Sequence, residues 1–158
     1  AQLFGMPFVV LRKPVPFDTT TLNFNWQVWD TKAFSLYSRS TEKIDKKGAD
    51  MAIAAVCRFL SRMNVLNYNV YGGYESTVLI EEELVSLRST ASGLYIPHVK
   101  SFDSVERGQV LADIIDPLTG VTVAQTEAPE DGIVFFAKDS PLVMENETLF
   151  KIVNKLHK

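Results

Sequence analysis

The chain has a single cysteine, Cys57, so no internal disulfide can form and the sequence does not read as a secreted disulfide scaffold. Cys57 falls inside a helical pattern and is expected as a core thiol. There are only two histidines, His98 and His157. Neither has a partner at ligand spacing, whereas a catalytic zinc usually takes three protein ligands. Both read as surface or structural histidines. No apolar run approaches the ~18 residues of a membrane span. No basic segment followed by an apolar one opens the chain, as a signal peptide would. The cytoplasm is the expected compartment, with no membrane partner.

Neither charge sign dominates: the net charge is -3. The distribution is uneven, however. Residues 1–72 hold nine Lys/Arg against five Asp/Glu, and residues 73–158 hold seven against fourteen. The shift at Gly72-Gly73 predicts a domain boundary, with one domain over 1–72 and another over 73–158. It also argues against a nucleic-acid partner for the acidic half.

The richest stretch is Lys32 to Leu60. Ala33 to Leu36 is short and mostly apolar, as a central strand of an α/β sheet is. Tyr37, Ser38, Arg39, Ser40 and Thr41 then place polar groups where that strand runs out. In open α/β sheets ligands sit beyond the carboxyl ends of strands, so this is the best small-molecule site in the chain. A helix from Asp45 to Val65 follows, with Asp45 as N-cap. Its predicted core stripe is Ala52, Ala55, Val56, Phe59, Leu60 and Met63. Arg58 and Arg62 lie off that stripe, near the C-terminus, where cations suit the helix dipole.

Before this stretch, Phe8 to Leu11 reads as a buried strand, ended by Pro14 and Pro16. Asp18 to Thr21 is a helix start and Leu22 to Trp29 a short helix, with Trp26 and Trp29 expected in a core. Two strands and two helices are too few to cover a parallel sheet. A missing N-terminal half of the α/β domain is therefore expected as a partner.

From Glu75 onward the pattern is β. Ser76 to Arg88 reads as a long strand interrupted by Glu81-Glu82-Glu83. Three consecutive strand residues do not face one way, so the glutamates read as a solvated face and not as a metal site. An internal quasi-repeat follows. Gly93-Leu94-Tyr95 opens one copy and Gly132-Ile133-Val134 the other. Val105, Gly108, Leu111 and Ile114 recur at identical steps as Val143, Asn146, Leu149 and Ile152. Asn replaces Gly where a turn demands the left-handed conformation, which both tolerate. Asp116 to Gly120 is a hairpin between the copies.

The repeat resembles the barrel-sandwich hybrid of biotinyl and lipoyl carrier domains. Those carry a lysine at the hairpin tip; here the hairpin DPLTGVTVAQTEAPEDG has none, so a covalent biotin or lipoate is not expected. The two halves together, with the FSL strand, the ID helix start and SGLYIPHVKSFDSVERGQVLADIIDPLTGVTVAQTEAPEDGIVF, resemble the succinylglutamate desuccinylase/aspartoacylase family. The match is to the C-terminal half of such a protein. The resemblance implies part of a carboxypeptidase-like α/β domain followed by a small all-β domain. It implies zinc-dependent hydrolysis of an N-acyl amino acid or related amide, with homo-oligomerisation allowed.

The family's zinc ligands, a His and Glu pair and a later His, lie upstream of anything in this chain. Zinc is therefore expected in the complete family protein and not on this chain alone. The family's general-base glutamate corresponds to Tyr37, with Arg39 and Thr41 in register with an E-x-R-x-T pattern. A phenol is a poor base near neutrality but can donate a hydrogen bond to a developing oxyanion. Arg39 is suited to a substrate carboxylate, and Glu42 is a candidate substitute base. The alternative is a non-catalytic relative acting as a binding or assembly module.

Overall fold

The computed structural model describes residues 1–37, 44–69 and 72–154. It mixes helices with both parallel and antiparallel sheet, and divides into two compact units, one over Ala1–Glu81 and one from Glu82 onward.

In the first unit, strand β1 (Phe8–Leu11) pairs in parallel with β2 (Thr77–Ile80), Phe8 opposite Thr77 and Leu11 opposite Ile80. The chain comes alongside earlier still, with Tyr74 N donating to Gly5 O at 2.9 Å and Ser76 Oγ to Met6 O at 2.6 Å. This is why the unit extends past Gly72-Gly73 to Glu81. Both glycines have positive φ, +85° and +105°, and lead the chain into β2.

Between the strands lie a 3-10 turn (Pro16–Thr20), helix α1 (Leu22–Val28) and helix α2 (Lys46–Arg62). Thr21 caps α1, its side chain accepting from Phe24 N at 3.3 Å. Asp45 occupies the N-cap position of α2, its carbonyl accepting from Ala49 N. The helix stops at Arg62, short of the expected Val65, because Asn64 turns left-handed at φ +56°.

Three sequence expectations fail in this unit. Ala33 to Leu36 forms no strand: β1 and β2 pair with each other, and residues 33–35 hang instead on α1. Asn23 Nδ2 donates to Ser35 Oγ and Gln27 Nε2 to Ala33 O, each at 2.5 Å. Trp26 and Trp29 are not core; Trp29 is 83% exposed. The buried face of α2 is also displaced. Val56 and Met63 are exposed, whereas Arg58 is buried at 8% exposure. The cause is the turn at Gln2–Phe4. Phe4 stacks on Phe59 at 4.4 Å, and Arg58 and Arg62 donate to that turn's carbonyls. Cys57 is half-buried.

The second unit holds two four-stranded antiparallel sheets. Their strands are β3 (Val85–Arg88), β4 (Gly93–Pro97), β5 (Ser104–Val105), β6 (Val110–Ile115), β7 (Thr122–Glu127), β8 (Gly132–Ala137), β9 (Leu142–Val143) and β10 (Thr148–Val153). The sheet orders are β3-β10-β8-β5 and β7-β6-β4-β9. The run Ser76 to Arg88 is thus not one strand: a 3-10 turn at Glu81–Glu83 separates β2 from β3.

Matching β4, β5 and β6 with β8, β9 and β10, and β7 with β3, carries one order onto the other. The short middle strand of each copy sits in the other copy's sheet. Hydrogen bonds repeat too. Gly108 N donates to Ala128 O as Asn146 N does to Ser89 O, at 2.7 and 2.8 Å. Gly108 and Asn146 both have positive φ, +81° and +66°. One core, including fully buried Leu111, Ile114, Val134, Leu149, Phe150 and Ile152, lies between the sheets. They remain two layers and do not close into a barrel.

Candidate functional site

Tyr37 follows a segment fixed by α1 and by Phe34, whose ring meets Phe4 edge-on at 5.3 Å. Tyr37 itself is 79% exposed. Its phenol therefore faces solvent and takes no part in a core. Arg39, Thr41 and Glu42 lie outside the described residues, as does His157, so the geometry of the FSLYSRST motif beyond Tyr37 is not described.

A charged group that the sequence reading passed over stands at the carboxyl ends of the parallel pair. Arg12, just past β1, forms an ion pair with Asp18 and has its Nε 3.6 Å from Glu81 Oε2, just past β2. Asp18 is buried, and its other oxygen accepts from Val15 N at 2.7 Å. The buried carboxylate thus pins the corner after β1. No local pattern marks this cluster, because Glu81 reaches Arg12 only once the two distant strands have paired. Arg12 is held by two carboxylates, which satisfies its charge and makes it a poor anion receptor.

Among the described residues no group of three or more His, Cys, Asp or Glu is placed to hold an ion. His98 instead donates from Nε2 to Asp113 Oδ2 at 2.9 Å, while Gln125 donates to the other oxygen at 2.8 Å. These bonds, Gln125's first, hold the Asp113 carboxyl below the usual carboxylate range. The described residues do not gather a zinc site.

Two open depressions flank α2. One, of about 300 Å³, is lined by Ser61, Asn64, Leu66, Asn67 and Asn69; the other, of about 220 Å³, by Asp50, Ile53, Ala54, Cys57 and Tyr68. Neither includes Tyr37 or Arg12. No helix among the described residues is long and apolar enough to cross a membrane.

No family model and no curated protein matches this sequence. Solved structures do. A succinylglutamate desuccinylase/aspartoacylase from Rhodobacter sphaeroides superposes with TM-score 0.76 at 15% identity, over 96% of this chain and 46% of that one. A succinylglutamate desuccinylase from Silicibacter gives 0.72 at 13%, over 97% and 47%. The product-bound ectoine utilization protein EutE (DoeB) from Ruegeria pomeroyi gives 0.69 at 13%, over 95% and 46%. The chain therefore has the fold of part of such proteins and spans just under half their length, consistent with a C-terminal half.

Proposed function

We propose that this chain supplies the C-terminal portion of a zinc-dependent deacylase or carboxypeptidase-like hydrolase acting on N-acyl amino acids or related amides. The observation that carries this reading is the superposition of nearly the whole chain on just under half of a succinylglutamate desuccinylase/aspartoacylase. In this reading the first unit is part of a carboxypeptidase-like α/β domain. The second is a barrel-sandwich-hybrid-like module, supported by its exchanged repeat strands. Because the described residues do not fit a zinc site, the metal's ligands belong to the half that the chain does not span. No step of the reaction is assigned through it.

In the same reading Tyr37 stands in the base position, where a phenol is a poor base and a carboxylate would serve better. Arg39 and Thr41 would contact the substrate, Arg39 by a bidentate pair with a carboxylate. The second reading, a non-catalytic binding or assembly relative, is supported by the FSLYSRST resemblance, which sets Tyr37, a phenol, against the family's base.

The test is Tyr37→Glu in the longest polypeptide that carries this sequence. A rise in zinc-dependent amidase activity is expected, with little change in Tm because Tyr37 is exposed. Unchanged activity in a zinc-loaded, folded variant would favour the non-catalytic reading. Metal analysis of the dialysed 158-residue chain should give far less than one zinc per chain. A stoichiometric zinc would refute the assignment of its ligands to the other half.

A further inference from the structure

The segment that carries Tyr37 is held by side chains, not by a ladder. Residues 33–37 lie in no helix or strand and, among the described residues, make no backbone–backbone hydrogen bond. Two amides of α1 reach them instead. Asn23 Nδ2 donates to Ser35 Oγ, and Gln27 Nε2 donates to Ala33 O. Asn23 and Gln27 stand at i and i+4, on one helical face and about 6 Å apart along the axis. Two residues of extended chain cover about 6.6 Å. The pair is thus spaced to grip residues 33 and 35 of a segment that runs against the helix direction.

A third attachment comes from α2. The Phe34 ring meets Phe4 edge-on at 5.3 Å, and Phe4 stacks on Phe59 of α2 at 4.4 Å. Phe34 sits between the two gripped residues, so consecutive positions 33, 34 and 35 are all tied to the helices. Tyr37 follows two residues later and is 79% exposed. Its place therefore depends on the anchors at 33–35 more than on packing of its own ring.

We propose that Asn23 and Gln27 are positioning residues for Tyr37: their amides stand in for a strand partner and set where residue 37 is presented. The holding of the segment stands on these contacts alone. Its bearing on catalysis rests on the reading of Tyr37 as occupying the base position.

The experiment measures heteronuclear ¹H–¹⁵N NOE values of the backbone amides of residues 34–37 in the ¹⁵N-labelled chain. The wild type should give values close to those of α1. Asn23→Leu and Gln27→Leu together keep the size of the side chains and remove both amides. In that variant the values at Ser35 and Tyr37 should fall to those of a free loop, while the amides of α1 and the Tm change little. If the variant does not fold, Ser35→Ala replaces it, since it removes only a hydroxyl from an exposed residue. Asn23→Asp should keep the wild-type values at Ser35, because its carboxylate accepts from the Ser35 hydroxyl; Asn23→Leu alone should not. Values unchanged by loss of the amides overturn the proposal. An equal loss in Asn23→Asp and Asn23→Leu also overturns it, because the effect would then follow the helix sequence and not the bond. The second arm uses Tyr37→Glu in the longest polypeptide that carries this sequence. Where that protein gains amidase activity, removing both amides should lower kcat about tenfold or more with KM little changed, as misplacement of a reacting group does. An unchanged kcat would overturn the positioning role. If Tyr37→Glu yields no activity, the hydrolase reading fails, and the amide measurements by themselves decide whether Asn23 and Gln27 hold Tyr37 in place.

Discussion

The two units bury themselves to very different degrees. In the second, six large side chains from both sheets are completely shielded. In the first, the buried apolar residues among those described are Ala55 and Leu79, while Phe17, Leu22, Trp29, Ile53 and Tyr37 all stand largely in water. A β1 made only of apolar residues suits a strand covered on both faces, yet Val10 and Leu11 are exposed. The difference teaches that apolar composition alone does not make a core. The second unit's internal repeat supplies both layers of its own sandwich, whereas the first unit's described strands and helices bury few apolar side chains among themselves.

The strongest way to break that comparison is to truncate one large apolar residue in each unit. Phe150→Ala should cost about 3–5 kcal/mol, because a fully buried aromatic leaves a cavity that the sheets cannot close. Trp29→Ala should cost about 0.5 kcal/mol or less, as surface substitutions do. Urea unfolding of both variants gives the two values. A Trp29→Ala cost near that of Phe150→Ala would mean that the exposed face is covered in solution, and the contrast would collapse.

A smaller effect sharpens the symmetry within the second unit. A Cβ at Gly93 would lie 2.5 Å from Ile115 O and 2.9 Å from Ile114 Cγ2. At the equivalent Gly132 it would lie 2.6 Å from both Val153 O and Ile152 Cγ2. Each glycine begins a strand that presses on the last strand of its own copy. Gly93→Ala and Gly132→Ala should therefore each cost about 1–3 kcal/mol by overpacking, and by similar amounts. Unequal midpoints in matched denaturant titrations would show that the two-fold relation holds for backbone topology and not for packing.

This symmetry was also the most legible part of the chain. Val105, Gly108, Leu111 and Ile114 recur at fixed steps, and the left-handed turn constrains the residue at Gly108 and Asn146 locally. The exchange of β5 and β9 between sheets was not legible, since no local pattern encodes which sheet a two-residue strand joins. The first unit was read less well for one physical reason: its structure is non-local. Thr77 to Ile80 looked like the start of the β region and pairs with the chain's first strand. Arg58 looked like a solvated helix residue because polarity predicts exposure, and only the turn at Gln2–Phe4 reveals carbonyls needing a donor. Ala33 to Leu36 had the composition of a central strand without a ladder partner. Of the candidate site, the strand end expected to present Tyr37 does not form, and the Arg12–Asp18–Glu81 cluster was not legible from local sequence.

The smallest effect concerns charge on the second unit's surface. Asp113 accepts from Gln125 and from His98, and these bonds hold its carboxyl below the ordinary value, against a slight opposing desolvation. A carboxyl whose folded pKa is depressed binds a proton less readily folded than unfolded. Its stabilisation is therefore complete above the unfolded carboxylate range, near ~3.9, and fades as pH falls through the folded value. Asp113 is half-buried at the sheet surface, so solvent still screens part of this contribution. Asp113→Asn keeps the shape and removes the charge. The wild type should be slightly more stable than the variant near pH 6, and the gap should close as the solution is acidified below about pH 4. Paired Tm measurements across that range decide the matter. A gap that persists at pH 2 would assign the difference to the geometry of the Gln125 and His98 bonds and not to the carboxylate's charge. The His98 link would then be a packing feature of the sheet face.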